Sequence, residues 1–137
     1  MEAARPWALA FTRQYHWPVA IAVLDGSSVV VRFSTIPDSP VSPFHGTLNT
    51  HLSLLGRALA LLATIRKQGF AERDPMVEPR SSGTVALPIT VNQRVLATVG
   101  MTYFTSALDR ADVVQRYVPL VKTLADNIAA SVSSLQQ

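Results

Sequence analysis

The dipeptide Asp25-Gly26 lies between Pro18 to Leu24 (PVAIAVL) and Ser28 to Thr35 (SVVVRFST), two runs rich in β-branched and apolar residues. A two-residue loop between antiparallel strands needs backbone at positive φ, which Asp-Gly adopts readily, so this pattern predicts a β-hairpin. A second pair of runs, Gly83 to Val91 (GTVALPITV) and Arg94 to Phe104 (RVLATVGMTYF), flanks Asn92-Gln93 and predicts another hairpin. Glutamine is the less suitable turn residue there. Helical patterns stand around and between the hairpins. Pro6 to Tyr15 reads as a short helix with Pro6 in its first turn, ended by Trp17-Pro18. His51 to Gln68 (HLSLLGRALALLATIRKQ) is helical by pattern, with Gly69 where a helix-ending glycine belongs. Asp109 to Leu135 repeats apolar residues at helical spacing from Val113 to Val132, and Pro119 inside it should start a new turn or kink the axis. Three prolines between Pro37 and Pro43 exclude both helix and central strand there.

The chain of 137 residues is 48% hydrophobic, which suits one compact domain with a substantial core. Charged residues make up 15%, against roughly 25% in typical soluble domains, so a homo-oligomer that buries further surface is expected. There is no cysteine, which excludes disulfides, thiolate metal sites and thiol nucleophiles. No apolar run reaches the roughly 18 residues of a membrane span, and the start lacks the basic-then-apolar pattern of a leader. A soluble cytoplasmic protein without membrane contact is expected. The net charge is +3, but the basic residues are scattered singly, with Arg66-Lys67 the only adjacent pair. Nucleic-acid readers concentrate such residues on one face, so this chain is not expected to bind DNA by itself.

The residues that carry chemistry are few. His16, His45 and His51 lack the helical i, i+4 spacing of paired metal ligands, no glycine-rich phosphate loop is present, and the serines Ser34, Ser39, Ser42, Ser81 and Ser82 lack a nucleophile-elbow context. No metal and no cofactor are expected. Asp109 and Asp112 read as helix-capping residues better than as an acid–base pair. A strand carrying Gly100, Thr102 and Tyr103 among apolar residues remains, together with Arg73 just after Gly69-Phe70. Small and hydroxylated strand residues leave room and hydrogen-bonding groups for a ligand, and an arginine can grip a carboxylate with two parallel bonds. The plainer alternative is a solvent-facing strand and a solvated arginine.

Several segments, taken in order, carry a family resemblance. Trp17-Pro18 through Val30-Val31-Arg32-Phe33-Ser34-Thr35 to Asp38-Ser39-Pro40-Val41-Ser42 looks like the opening of the effector domain of IclR-type transcriptional regulators, in the branch that activates aromatic-acid catabolism. Leu54-Leu55-Gly56-Arg57-Ala58 resembles that family's glycine-basic-alanine motif, Ile65-Arg66-Lys67-Gln68-Gly69-Phe70 its arginine-to-glycine turn, and Val85-Ala86-Leu87-Pro88-Ile89 its apolar strand with proline. Tyr117-Val118-Pro119-Leu120 and the closing helix resemble the end of the same domain.

The resemblance implies an α+β fold of the GAF/PAS-like kind, an antiparallel sheet with helices packed on it, forming one effector-binding domain over residues 1–137 with 2–15 as a linker or N-terminal helix. It implies a sensor of a small organic acid, an aromatic carboxylate in this branch, and not an enzyme. It implies dimers or tetramers that reach operator DNA through an upstream winged helix-turn-helix domain. Glu2 to Tyr15 is too short for such a domain, so an isolated effector domain is expected. Only six residues separate Ala58 from Ile65, where the family has a much longer stretch. A segment lost near Ala58-Leu59 is therefore expected, which would make the apparent helix from His51 to Gln68 an artefact of the junction. The family's ligand positions match Arg73, Thr84, Gly100, Thr102 and Tyr103. Gly100 replaces a residue that is often serine and supplies no hydroxyl. Two other readings are compatible with the composition: a GAF/PAS-like sensor or dimerisation module with another output, and a small enzyme acting on an aromatic acid.

Overall fold

A computed structural model describes residues 2–25, 28–39, 51–53, 69–72 and 82–135. Helix α1 (Arg5–Tyr15) carries proline in its first turn and ends at His16, whose φ of 73° is left-handed and whose N–H bonds the Thr12 carbonyl. It buries Ala8, Phe11 and Thr12. Strands β1 (Val19–Asp25) and β2 (Ser28–Ser34) pair antiparallel as the predicted hairpin, with Asp25 itself in β1 opposite Ser28 and residues 26–27 outside the described residues, and the register shifts by one residue between Ile21 and Ala22. A 3-10 turn, Ile36–Asp38, follows β2.

His51–Ser53 is strand β3, paired antiparallel with Val30, Val29 and Ser28 of β2. This corrects the helix expected from His51 onward: the outer edge of β2 offers ladder partners, and tertiary pairing overrides local helix preference. Residues 54–68, with the junction expected near Ala58-Leu59, lie outside the described residues, as do 40–50 of the proline-rich stretch. Strand β4 (Ala71–Glu72) follows Gly69, whose φ is +85°.

The second hairpin is the longest pairing: β5 (Ser82–Val91) runs against β6 (Arg94–Phe104). Its turn residues Asn92 and Gln93 have φ of 52° and 65°, so glutamine takes the left-handed backbone despite its side chain. The sheet order is β3-β2-β1-β6-β5-β4, with every pairing antiparallel.

At the C-terminal end Asp109 caps the chain, its Oδ1 accepting from the Asp112 N–H at 2.9 Å. One α turn (Arg110–Asp112) and a π turn (Val113–Tyr117) lead into helix α2 (Val118–Leu135). Pro119, which has no N–H for the carbonyl four residues back, follows this wider turn and does not end the helix.

Because side chains alternate across a strand, each strand divides its residues between two faces. One face carries Val19 and Ile21 of β1, Val85, Leu87 and Ile89 of β5, and Val99 and Met101 of β6. These pack with Ala8 and Phe11 of α1 and with Val121, Leu124, Ala125 and Ile128 of α2 in a single core. Both helices thus cover one face of the sheet. No helix among the described residues is long and apolar enough to cross a membrane.

Candidate ligand-binding face

The opposite face carries a row of small residues. The strand registers align Ser34 with Ala20, Ala20 with Gly100, Gly100 with Ala86, and Ala86 with Ala71. One row crossing five strands therefore consists of serine, alanine, glycine, alanine and alanine, all half-buried. Small side chains along this row keep the surface of the sheet low there. Ala22 and Thr98 form the next row on the β1 and β6 side. In sequence the signal is the alternation of large with small: Val19-Ala20-Ile21-Ala22-Val23 and Val85-Ala86-Leu87 place every large residue on the helix face. Ala20, Ala71 and Ala86 were not singled out by sequence reasoning, since their alignment depends on register between distant segments.

Beside this row Thr84 and Thr102 face each other across β5 and β6, their hydroxyl oxygens 3.1 Å apart. Two hydroxyls hold two protons, and their mutual bond uses one. The other is available to an acceptor such as a carboxylate oxygen. Gly100 stands next to the pair: a Cβ there would lie 3.4 Å from Thr84 Cγ2 and 3.6 Å from Ala86 Cβ, an ordinary contact distance. Glycine at this position keeps the floor low and is not required by strain.

The structure thus brings three expected positions together, Thr84, Gly100 and Thr102. Arg73 lies outside the described residues. Tyr103 is separated from them by the sheet itself. As the neighbour of Thr102 on an extended strand it points to the helix face, where it is 6% exposed and belongs to the core. Its grouping with Thr102 is corrected by strand parity. The Tyr103 ring lies over Gly83, where an added Cβ would stand 2.6 Å from Cζ and from the phenolic oxygen. Gly83→Ala is therefore expected to destabilise the fold by about 1–2 kcal/mol through overpacking. Urea unfolding checks this, and Tyr103→Leu in the same chain should recover part of the loss, whereas a neutral Gly83→Ala would show that the ring moves freely.

The ion pair Arg110–Glu72 joins β4 to the turn before α2, and hydrogen bonding to Glu72, reinforced by its negative charge, raises the guanidinium pKa above its usual value. A shallow cleft of about 240 Å³ lies elsewhere, between α2 and the end of β5, lined by Gly69, Leu87, Pro88, Thr90, Lys122, Ala125 and Asp126. Its two charged groups, Lys122 and Asp126, already pair with each other at 3.2 Å, so it offers a weaker case for an anion than the threonine pair. Among the described residues no group of three histidine or acidic side chains is placed to hold a metal ion.

No protein-family model matches the sequence, and no curated protein matches it significantly. Solved structures do resemble it. RHA06195 of Rhodococcus sp. RHA1, described as a transcriptional regulator, superposes with a TM-score of 0.86 at 15% identity over 99% of this chain and 69% of its own. The Thermotoga maritima IclR gives 0.80 at 16% identity over 96% of this chain and 68% of its own. The inducer-binding domain of the Acinetobacter transcription factor PobR, a double mutant in complex with 3-hydroxybenzoic acid, gives 0.76 at 15% identity over 93% and 96%. A likeness at these identities establishes the fold alone: this chain shares the fold of these transcriptional regulators, among them the Thermotoga maritima IclR and the PobR inducer-binding domain.

Proposed function

We propose that this domain senses a small organic acid, an aromatic carboxylate, on behalf of a transcriptional regulator. The observation that carries the reading is the Thr84–Thr102 hydroxyl pair set beside a floor of small residues, in a fold that PobR uses to bind 3-hydroxybenzoic acid. The ring rests on Ala20, Gly100 and Ala86, and the carboxylate accepts from the free proton of the threonine pair, with Arg73 as a second partner for its charge. The Thr84–Thr102 pair and the row from Ser34 to Ala71 present hydroxyls and apolar groups, a set suited to holding a ligand.

The output is allosteric. Acid binding favours one arrangement of a dimer or tetramer, and an upstream winged helix-turn-helix domain converts that preference into operator affinity, with a coupling of about 1–3 kcal/mol. The domain works in the cytoplasm and needs no cofactor.

A thermal-shift panel of aromatic and aliphatic carboxylates tests the reading. At a hundred times its dissociation constant a ligand adds about 2.7 kcal/mol, enough to raise the midpoint by several degrees. The reading expects a saturable shift confined to one class of acid, and no shift with any acid would contradict it. Thr102→Val keeps the side-chain shape and removes the hydroxyl, so the affinity for an acid that binds should fall about tenfold. Calorimetry checks this, and an unchanged affinity would remove the threonine pair from the site.

A further inference from the structure

Among the described residues strand β4 pairs with β5 at two positions, Ala71 with Ala86 and Glu72 with Val85. Upstream, Phe70 is 3% exposed and anchors the segment in the helix-face core. Downstream of Ala71 the contact is electrostatic. Glu72, opposite Val85, points to the helix side of the sheet, where Arg110 meets it with a forked set of bonds. The Arg110 Nε donates to both carboxylate oxygens, at 3.1 and 2.9 Å, and a terminal nitrogen donates to Oε1 at 2.8 Å. The backbone at Arg110 is fixed, because this residue opens the turn that Asp109 caps.

The geometry points to Arg110 and Glu72 as a positioning pair that holds β4 on the sheet and thereby sets Ala71 at the outer edge of the ligand face. Neither side chain touches that face. Glu72 and Ala71 are neighbours on one strand and point to opposite sides, so fixing one fixes the height of the other. The pair also ties the edge of the ligand face to the turn that opens the C-terminal helical segment, so movement at either end is felt at the other. The consequence for affinity rests on the reading of this face as the acid site; the holding of β4 does not.

Two measurements separate these. In Arg110→Gln, amide exchange of Ala71 and Glu72 should be roughly fivefold faster than in the unaltered protein, the size expected when a well-formed exposed ion pair is lost from a locally opening edge. The charge-swapped protein, Glu72→Arg with Arg110→Glu, should restore most of the protection, whereas a general loss of stability would speed exchange in β1 and β6 as well and would not be rescued. Unchanged exchange of Ala71 and Glu72 in Arg110→Gln overturns the inference, and so does a failure of the swap in a protein that is otherwise folded. Calorimetry with 3-hydroxybenzoate as the probe gives the second readout: weaker binding in Arg110→Gln with an unchanged melting midpoint places the pair in control of the ligand face. If the unaltered protein binds neither this acid nor any other in the carboxylate panel, the acid-site reading falls, and the exchange data still decide whether the pair holds β4.

Discussion

Ile128→Ala is expected to destabilise the protein by about 3 kcal/mol and to lower its melting midpoint by roughly 10 °C. Ile128 is 1% exposed and stands on the face of α2 that also buries Val121, Leu124 and Ala125 against the sheet. Truncating it removes three carbons from a site whose surroundings are held by strands on one side and by helix backbone on the other, so the space can collapse only in part. The loss therefore contains a transfer contribution and a cavity contribution, both of the sign that favours unfolding. Leu135 supplies the internal control: it lies at the end of the same helix, is 74% exposed, and its change to alanine should stay within about 0.5 kcal/mol. Chemical denaturation of both variants checks the assignment of the core to this face. Equal effects at the two positions would contradict it.

Thr35→Val should cost about 2–3 kcal/mol although it conserves volume. Thr12 and Thr35 are both 0% exposed, and their hydroxyl oxygens are 2.6 Å apart. The Thr35 oxygen accepts from the Val19 N–H at 2.9 Å, and the Thr12 hydroxyl donates to the Trp17 carbonyl at 3.1 Å. This network joins the end of α1 to the start of β1 and the end of β2. Valine at position 35 leaves the Val19 N–H buried without an acceptor and takes away one partner of Thr12, and an unmet buried donor costs more than a hydrogen bond contributes. Thr35→Ser keeps the oxygen and loses a methyl, so it should cost about 1 kcal/mol. A larger loss for serine than for valine would mean that packing, and not the network, gives Thr35 its role.

Both hairpins were legible in the sequence because their determinants are local: turn residues at fixed positions between β-branched runs. The cap at Asp109 was legible for the same reason. Strand β3 was not, since His51 to Ser53 belong by pattern to a helical run and become a strand only through pairing with the distant β2. The positions Thr84, Gly100 and Thr102 came from the family resemblance and, for two of them, from their residue types, and the structure places all three on one face. Tyr103 was misgrouped by adjacency in sequence, where parity along the strand separates it from Thr102. The alanine row and the Arg110–Glu72 pair were invisible at that level. The first depends on the register of five strands, and the second spans 38 residues of sequence between an edge strand and a helical turn.

An NMR titration of the labelled domain with 3-hydroxybenzoate and the related acids of the carboxylate panel tests the central claim most directly, because it locates binding as well as detecting it. The account predicts saturable shifts of the amides of Ala20, Thr84, Ala86, Gly100 and Thr102, with the cleft residues Lys122 and Asp126 unaffected. Shifts confined to the cleft beside α2, or no saturable shift with any of the acids, would contradict it.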